Sequence, residues 1–447
     1  MSTVSDPLNF LSDLLAAAKR GGADTADAVF FEAAAISVAQ RLGKSEKLER
    51  AESRDLGLRV LVGKQQAMAS TTDFTQSSLD ELVTRAVAMA RAAPEDPYCG
   101  LADPGALAGQ VPDLDICDPG EPGTEILLVR AREAEEAARA VPGVSNSEGA
   151  EAAWSRSTIA IAATNGFARS YGVSSQSIAA SVLAGEGTAM ERDYDFDTAV
   201  YGSDLRAPAD IGRNAGERVV KRLGARKMAT VQVPVVYDTR VSGGLVRHLA
   251  GAINGVAVAR GTSFLKDKMG ERIFPAGIVI VDDPHRKRGL RSKPFDGEGI
   301  ANARGAIIED GVVKTWILDL SSARQLGLAT TGHAARGTAS PPSPTVTNLY
   351  MEAGSKSRED LIGEIDSGLY ITELIGMGVN GVTGDYSRGA TGYWIEKGEL
   401  AFPVSELTVA GNLKDMFANL EPADDLEFRF GIDAPSIRID GMTVAGI

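Results

Sequence analysis

The stretch that decides the fold of this chain runs from Gly376 to Glu399 and reads GMGVNGVTGDYSRGATGYWIEKGE. Seven of its residues are glycine, and β-prone runs precede and follow the glycines (Leu369–Ile375 and Tyr393–Ile395). Glycine at this density lets the backbone approach another backbone or a ligand closely. The stretch therefore predicts either a glycine-rich corner of a β-sheet or one wall of a binding groove.

The same stretch contains the pattern G-x-G-x-x-G at Gly376, Gly378 and Gly381. In dinucleotide-binding proteins this pattern precedes a helix whose N-terminus faces the pyrophosphate. Residues 382–392 are poor helix formers, and no βαβ unit surrounds them. We therefore do not expect a dinucleotide site here.

Composition sets the class of protein. The chain has 447 residues, 44% of them apolar and 24% charged, as in folded proteins of two or three domains. Its net charge of −14 argues against a nucleic acid or an anionic membrane as partner. No apolar run is long enough to span a membrane, and Met1–Phe10 lacks the features of a signal peptide. Cys99 and Cys117 are interpreted as free thiols, so we expect a cytoplasmic protein.

Hydrophobic periodicity predicts the α+β class with two domains. Residues 1–228 are expected to form an N-terminal α+β domain, with a hairpin turn at Asn165-Gly166 and an S-x-x-E capping box at Ser78 and Glu81. Helices are predicted over residues 8–21, from 78 to Pro94, 124–140 and 211–223. Strands are predicted over residues 26–41, 56–64, 67–71, 153–163, 167–171 and 174–184.

Residues 229–447 are predicted to form a second domain, mostly antiparallel β and barrel-like, with one helix at its start. That helix is expected over residues 242–257, after a strand over 231–237. Further strands are predicted over 278–281, 305–309 and 312–316, and around residues 370 and 394.

Catalytic groups are scarce. The three histidines, His248, His285 and His333, include no pair spaced three or four apart as in helix-borne zinc sites. There is no G-x-S-x-G elbow, and neither cysteine has a histidine nearby in sequence. The residues alone therefore indicate no catalytic centre and no metal site, although a hydrolase using His248 or His333 with carboxylates stays open.

Four arginines lie in segments that contain glycine or serine, where a guanidinium can bind a carboxylate such as a peptide C-terminus. They are Arg304, Arg324, Arg336 and Arg388. Ordinary salt bridges are the default expectation for each.

Several motifs together resemble the TldD/PmbA family, and within it the PmbA (TldE) branch. The resemblance covers nearly the whole chain. The motifs are Arg247–Leu249 with Gly255, Thr262–Asp267, Thr331–Gly337, Thr347–Gly354, Gly376–Gly398 with Phe402–Val404, and Ala410–Leu413.

This resemblance implies a cytoplasmic peptidase system. In the family, a TldD-type subunit carries zinc on a helical H-E-x-x-x-H motif and a C-terminal cysteine, and its PmbA-type partner lacks these ligands. At the motif this chain reads Arg247, His248, Leu249, Ala250, Gly251 and Ala252, and no cysteine occurs in Gly431–Pro435. The resemblance thus implies no catalytic residue and no metal or cofactor on this chain, with zinc on the partner subunit. His333 departs from the asparagine expected there.

The resulting hypothesis is a non-zinc subunit that pairs with a TldD-type chain and helps to process or degrade peptides. The glycine-rich stretch would then guide substrate, with Gly378, Asn380, Asp385, Ser387 and Arg388 as candidates for the groove. The alternative is a homodimeric peptide-binding protein without catalytic activity. The family has also been linked with modulation of DNA gyrase, which the acidic net charge disfavours.

Overall fold

The computed structural model describes residues 6–446. Met1–Ser5, from the segment assessed for a signal peptide, and Ile447, the end of the second predicted domain, lie outside the described residues. The helices of the described part are α1 Pro7–Arg20, α2 Gln76–Ala92, α3 Thr124–Arg139, α4 Pro208–Lys221, α5 Thr239–Ala252, α6 Gly255–Ala259, α7 Leu320–Leu326, α8 Arg358–Gly363 and α9 Leu413–Ala418.

The strands outnumber the helices, and the α+β class is confirmed. They are β1 Thr25–Arg41, β2 Lys44–Val62, β3 Gln65–Thr71, β4 Val144–Ala163, β5 Ala168–Ala184, β6 Glu191–Ala199, β7 Val231–Tyr237, β8 Ile280–Asp282, β9 Gly305–Glu309, β10 Val312–Val313, β11 Ala334–Ala335, β12 Ser343–Pro344, β13 Leu349–Met351, β14 Ser367–Val379, β15 Asp385–Glu396, β16 Glu399–Asn412, β17 Leu420–Pro422, β18 Ile432–Asp433 and β19 Ile437–Ala445.

The N-terminal sheet has the strand order β3-β2-β1-β4-β5-β6, and every pairing in it is antiparallel. The predicted Asn165-Gly166 turn is confirmed, since it connects β4 to β5. Alternate residues of a strand point to opposite faces. On one face of β1, Phe30 packs with α1 and α2, and Ile36 packs with α3 and α4. On the other face, Val29 packs against Phe295 from the C-terminal half.

The C-terminal half contains a closed barrel of five strands. Its order is β16-β15-β14-β7-β19, and β19 pairs again with β16 to close it. All barrel pairings are antiparallel except β14 with β7. A smaller sheet, β10-β9-β8-β13-β18, packs in the same core. The barrel-like prediction is thus confirmed, and the Gly376–Glu399 stretch supplies the end of β14, all of β15 and the first residue of β16 in this barrel.

Two local predictions are wrong. The helix expected to open at Ser78 begins at Gln76, and the Ser78 hydroxyl donates to the side chain of Asp73 instead of capping the helix. The helix expected over 242–257 is two helices, because the chain turns at Ile253-Asn254 and the Asn254 side chain accepts the Val256 N–H to cap α6. Three more short helices, α7 to α9, follow in the C-terminal half.

Within residues 6–446, no helix combines the length and the apolar character that a membrane span requires.

Candidate functional site

A cavity of about 860 Å³ lies between the N-terminal sheet and the barrel, and we call it the cleft. Its N-terminal wall includes Gln40, Glu46, Glu148, Gly149, Glu151 and Arg192. Its C-terminal wall includes Arg240, Arg247, His248, Glu373, Leu374, Met377 and Arg388. Three glutamates thus face a wall with three arginines, and both halves of the chain are needed to form the site.

The outer edge of β14 opens beside the cleft. On that side β14 pairs with β7 only from Leu369 to Ile371, although β14 continues to Val379. In the described part of the chain, no other strand pairs with that side of β14 beyond Ile371. An unpaired edge offers backbone N–H and C=O groups to an extended peptide. Glu373 and Met377 of this segment line the cleft.

His248 projects from α5 onto the barrel. Its ring packs edge-to-face on Tyr386 of β15, with 5.9 Å between ring centroids. Burial, followed by the charges of Arg388 and Arg247, lowers the pKa of His248 to about 4. The imidazole is therefore neutral at neutral pH.

Arg388 and Arg247 give the C-terminal wall its positive charge. The Nε of Arg388 donates to the carbonyl of Ile375 at 3.3 Å. Within residues 6–446, neither Arg388 nor Arg247 forms an ion pair. The terminal nitrogens of Arg388 are thus free to bind a carboxylate, for which the guanidinium geometry is suited.

An ion-pair network holds the two walls in place. Arg222, just after α4, lies 2.6 Å from Glu373 of β14 and 3.3 Å from Asp193 of β6. Arg240 of α5 lies 2.9 Å from the same Asp193. Since Asp193 is buried and binds arginines of both halves, it sets the distance between the walls.

The other predicted groove residues shape the β14–β15 hairpin. The Asn380 side chain accepts the N–H of Val382 at 2.9 Å, and the Asp385 carboxylate accepts the hydroxyl of Thr383 at 2.6 Å. A Cβ on Gly378 would lie 2.1 Å from the carbonyl oxygen of Ser387. Of the five candidates, only Arg388 lines the cleft.

The donor set at the zinc-motif position does not fit zinc. Arg247 is a cation, Ala252 is apolar and buried, and only His248 could ligate. Across residues 6–446, no group of three or more His, Cys, Asp or Glu side chains is arranged to hold a metal ion. His333 is instead buried 3.1 Å from Asp282, and His285 lies 2.8 Å from Asn302.

Both cysteines are free thiols, as predicted. Burial raises the pKa of Cys99 and of Cys117, so neither thiol is activated as a nucleophile.

Comparison with known families identifies the whole architecture. Models of the first, central and C-terminal domains of the PmbA/TldA metallopeptidase match residues 26–90, 117–223 and 230–446. Metalloprotease PmbA of Escherichia coli O157:H7 is 37% identical over 428 residues, which cover 95% of this chain and 93% of that protein. The chain belongs to the PmbA/TldD metallopeptidase family.

Both branches of the PmbA/TldD family are represented among the relatives in Haemophilus influenzae. Its Metalloprotease PmbA homolog is 35% identical and covers 96% of this chain and 94% of that protein. Its Metalloprotease TldD homolog is 28% identical and covers 59% of this chain and 58% of that protein. A crystal structure from Bacteroides thetaiotaomicron, of a protein named as a modulator of DNA gyrase, matches with TM-score 0.91, 26% identity and full coverage of both chains.

Sequence reasoning missed the acidic wall of the cleft. Glu46, Glu148 and Glu151 lie on strands of the other half, more than 200 residues before Arg388, and no local motif marks them. The signal that the sequence does carry is the polar run Lys44–Ser53 around Glu46, and β2 is exposed at every residue of that run.

Proposed function

We propose that this chain is the non-zinc-binding subunit of a heterodimeric metallopeptidase, paired with a TldD-type chain that carries the zinc. The observation that carries the proposal is the α5 helix, where Arg247, His248 and Ala252 stand at the positions of the zinc motif and do not fit a metal. The family membership supplies the reaction class, which is peptide hydrolysis in the processing or degradation of peptides.

In this role the cleft guides the peptide. An extended substrate adds to the open edge of β14 between Thr372 and Val379 through backbone hydrogen bonds. Arg388 then binds a carboxylate of the peptide, since it has no acidic partner of its own. The glutamates of the opposite wall attract a peptide amino group or basic side chain.

The partner is inferred from genomes that hold both branches, as Haemophilus influenzae does. The complex would act in the cytoplasm, which agrees with two free thiols. Neither a nucleic acid nor a membrane is a proposed partner, because the net charge is −14.

The test is co-purification. The chain is expressed alone and together with the TldD-type protein of the same genome, and zinc content and cleavage of a short unstructured peptide are measured for each. We expect zinc and cleavage only in the mixed complex. Stoichiometric zinc and strong cleavage by the isolated chain would refute the proposal, and recovery of a homodimer alone would favour the peptide-binding alternative.

A variant pair tests the role of the cleft in that complex. Arg388→Met should raise the KM for peptide by about tenfold or more, because a charged hydrogen bond to the carboxylate is lost. Arg139→Met, on the exposed side of α3, serves as the matched control and should leave KM unchanged.

A further inference from the structure

A second cavity, of about 340 Å³, lies between the other face of the N-terminal sheet and the C-terminal loops, and we call it the inner cavity. It shares no lining residue with the cleft. The sheet supplies an apolar wall with several serines, formed by Val29, Phe31, Ser155, Ser157, Ile159, Ile161, Tyr171, Val173, Ser174 and Ser175. The loops supply Leu290, Arg291, Ser292, Lys293, Gly297, Ala335 and Arg336.

Three of these lining residues are cations and none is a carboxylate. The Lys293 ammonium makes no hydrogen bond or ion pair within residues 6–446. Burial lowers the pKa of Lys293 and the nearby charge of Arg291 lowers it as well, although the charges of Asp296 and Asp282 act in the opposite direction. Burial of an unpaired ammonium destabilises the folded protein unless an anion lies beside it.

Arg336 is the most confined of the three cations. Only 1% of its side chain is exposed, and its Nη1 lies 2.7 Å from Asp27. That distance is an ion pair, but none of its three side-chain nitrogens makes a well-oriented hydrogen bond to a described residue. Asp27 is also bound by Arg59, so one carboxylate serves two buried guanidinium groups.

The acids nearest to the inner cavity are bound elsewhere. Asp296 accepts the backbone N–H groups of Glu298 and Ile300 with one oxygen and that of Ala334 with the other. Asp282 accepts from Thr347 and lies against His333. Burial raises the pKa of Glu298 to about 8, so it is largely neutral at pH 7. The hydrogen bonds of these acids thus go to groups other than the three cations of the inner cavity.

We propose that the inner cavity binds a small monoanionic carboxylate with an apolar body, whose carboxylate group is held by Lys293 and Arg336. The surplus of positive charge calls for an anion, and buried arginine nitrogens without hydrogen bonds can donate to it. The apolar wall at Phe31 and Ile161 receives the rest of the molecule. The volume lies at the lower end of the range of small-molecule sites, which is about 300–1,000 Å³.

Close packing of two backbone segments fixes the position of Arg336. A Cβ on Gly297 would lie 3.1 Å from three backbone atoms of Ala334 to Arg336, so glycine allows this segment to lie close to the loop. The Thr331–Gly337 motif, which has no part in the cleft, thereby supplies a binding group to the inner cavity.

The test uses the full chain and three probes in calorimetric titrations at pH 7. They are phenylacetate, its neutral isostere phenylacetamide, and inorganic phosphate. We expect phenylacetate to bind at one site and the amide at least about tenfold more weakly, because the charged hydrogen bonds are lost. Equal affinity for acid and amide would overturn the proposal, and tighter binding of phosphate would overturn the carboxylate class.

Variants assign the binding to this cavity. Lys293→Met keeps nearly the length of the side chain but removes its charge. It should lower the affinity for phenylacetate at least about tenfold. Lys44→Met, on the exposed part of β2, should bind phenylacetate as the wild type does. An unchanged affinity of Lys293→Met would overturn the proposal. Should that variant not fold, the comparison of acid with amide on the wild type decides.

Discussion

Arg336 of the C-terminal half lies 2.7 Å from Asp27 on the first strand of the N-terminal sheet, and both side chains are buried. Burial raises the pKa of the Asp27 carboxyl, but the charges of Arg336 and Arg59 together outweigh it, so the pKa is lowered. Burial and the charge of Arg59 lower the pKa of Arg336, although the shared carboxylate acts in the opposite direction. One carboxylate thus connects the two halves and leaves positive charge in excess.

Asp27→Asn should destabilise the protein by about 3–5 kcal/mol, because it leaves two buried arginines without an anion. Urea unfolding followed by circular dichroism measures the change. Glu49→Gln, in an exposed pair with Lys47, is the control and should not shift the midpoint. A wild-type midpoint for Asp27→Asn would show that the buried pair has no such role.

The same carboxyl predicts acid sensitivity. Since its pKa is lower in the folded chain than its ordinary value of 3.8, its contribution is fully present above pH 3.8 and is lost as the pH falls through the lower folded value. The difference in stability between wild type and Asp27→Asn should therefore shrink in acid, as urea midpoints at several pH values would show.

Glu298 predicts the opposite pH dependence. Its pKa is raised from 4.5 to about 8, mainly by burial and then by the charge of Asp296. The folded state therefore holds a proton that the unfolded state releases, and stability falls as the pH rises from about 4.5 to 8. Glu298→Gln keeps an oxygen that can accept the Leu320 N–H, but its side chain does not titrate. The substitution should therefore remove this pH dependence, which lowers the free energy of unfolding of the wild type by roughly 3–5 kcal/mol at pH 8–9.

Unfolding midpoints of Glu298→Gln at pH 5 and pH 8.5 test this. The unfolding midpoint of the variant should be close to that of the wild type at pH 5 and higher than that of the wild type at pH 8.5. Glu136→Gln, exposed on α3, is the control and should follow the wild type at both. A wild-type slope in Glu298→Gln would contradict the assignment.

Arg388→Met should raise the pKa of His248 above about 4 while leaving it below 6.5, because burial is the larger cause of the shift and remains. Proton NMR titration can follow the change, since the chain has only three histidines. Arg272→Met, in a surface pair with Asp310, is the control variant and should leave the pKa of His248 unchanged. An unchanged pKa of His248 in Arg388→Met would mean that the Arg388 charge does not act on the imidazole ring.

Gly392→Ala should destabilise the barrel by about 3 kcal/mol or more, because the added Cβ would lie 1.8 Å from the carbonyl oxygen of Tyr370 on β14. Gly381→Ala is the matched control in the same stretch, since a Cβ there meets no atom within 4 Å. Thermal unfolding of both variants distinguishes them. Equal midpoints would show that the two strands can separate at Gly392 without cost.

The long strands of the N-terminal sheet show which strand lengths local sequence patterns predict and which they do not. The turn at Asn165-Gly166 follows from its residue types, and β5 joins the two predicted strands 167–171 and 174–184 into one of 17 residues. β4 is 20 residues long, well beyond the predicted 153–163. Its extra residues are mostly serine, alanine, glycine and glutamate, which gives weak hydrophobic periodicity. Pairing with neighbouring strands makes them β, and that pairing is a tertiary contact.

By itself, the sequence determined the α+β class, the barrel-like second half, the departure of Arg247–Ala252 from the H-E-x-x-x-H pattern and the family motifs, because each depends on residue types at short spacing. Only the tertiary structure decided that Arg388 faces the glutamates of the cleft while Asn380 and Asp385 brace a hairpin. It alone also placed Lys293 and Arg336 around one cavity. Strand pairing and packing bring charged residues that are distant in sequence next to one another, and a local sequence pattern does not contain that information.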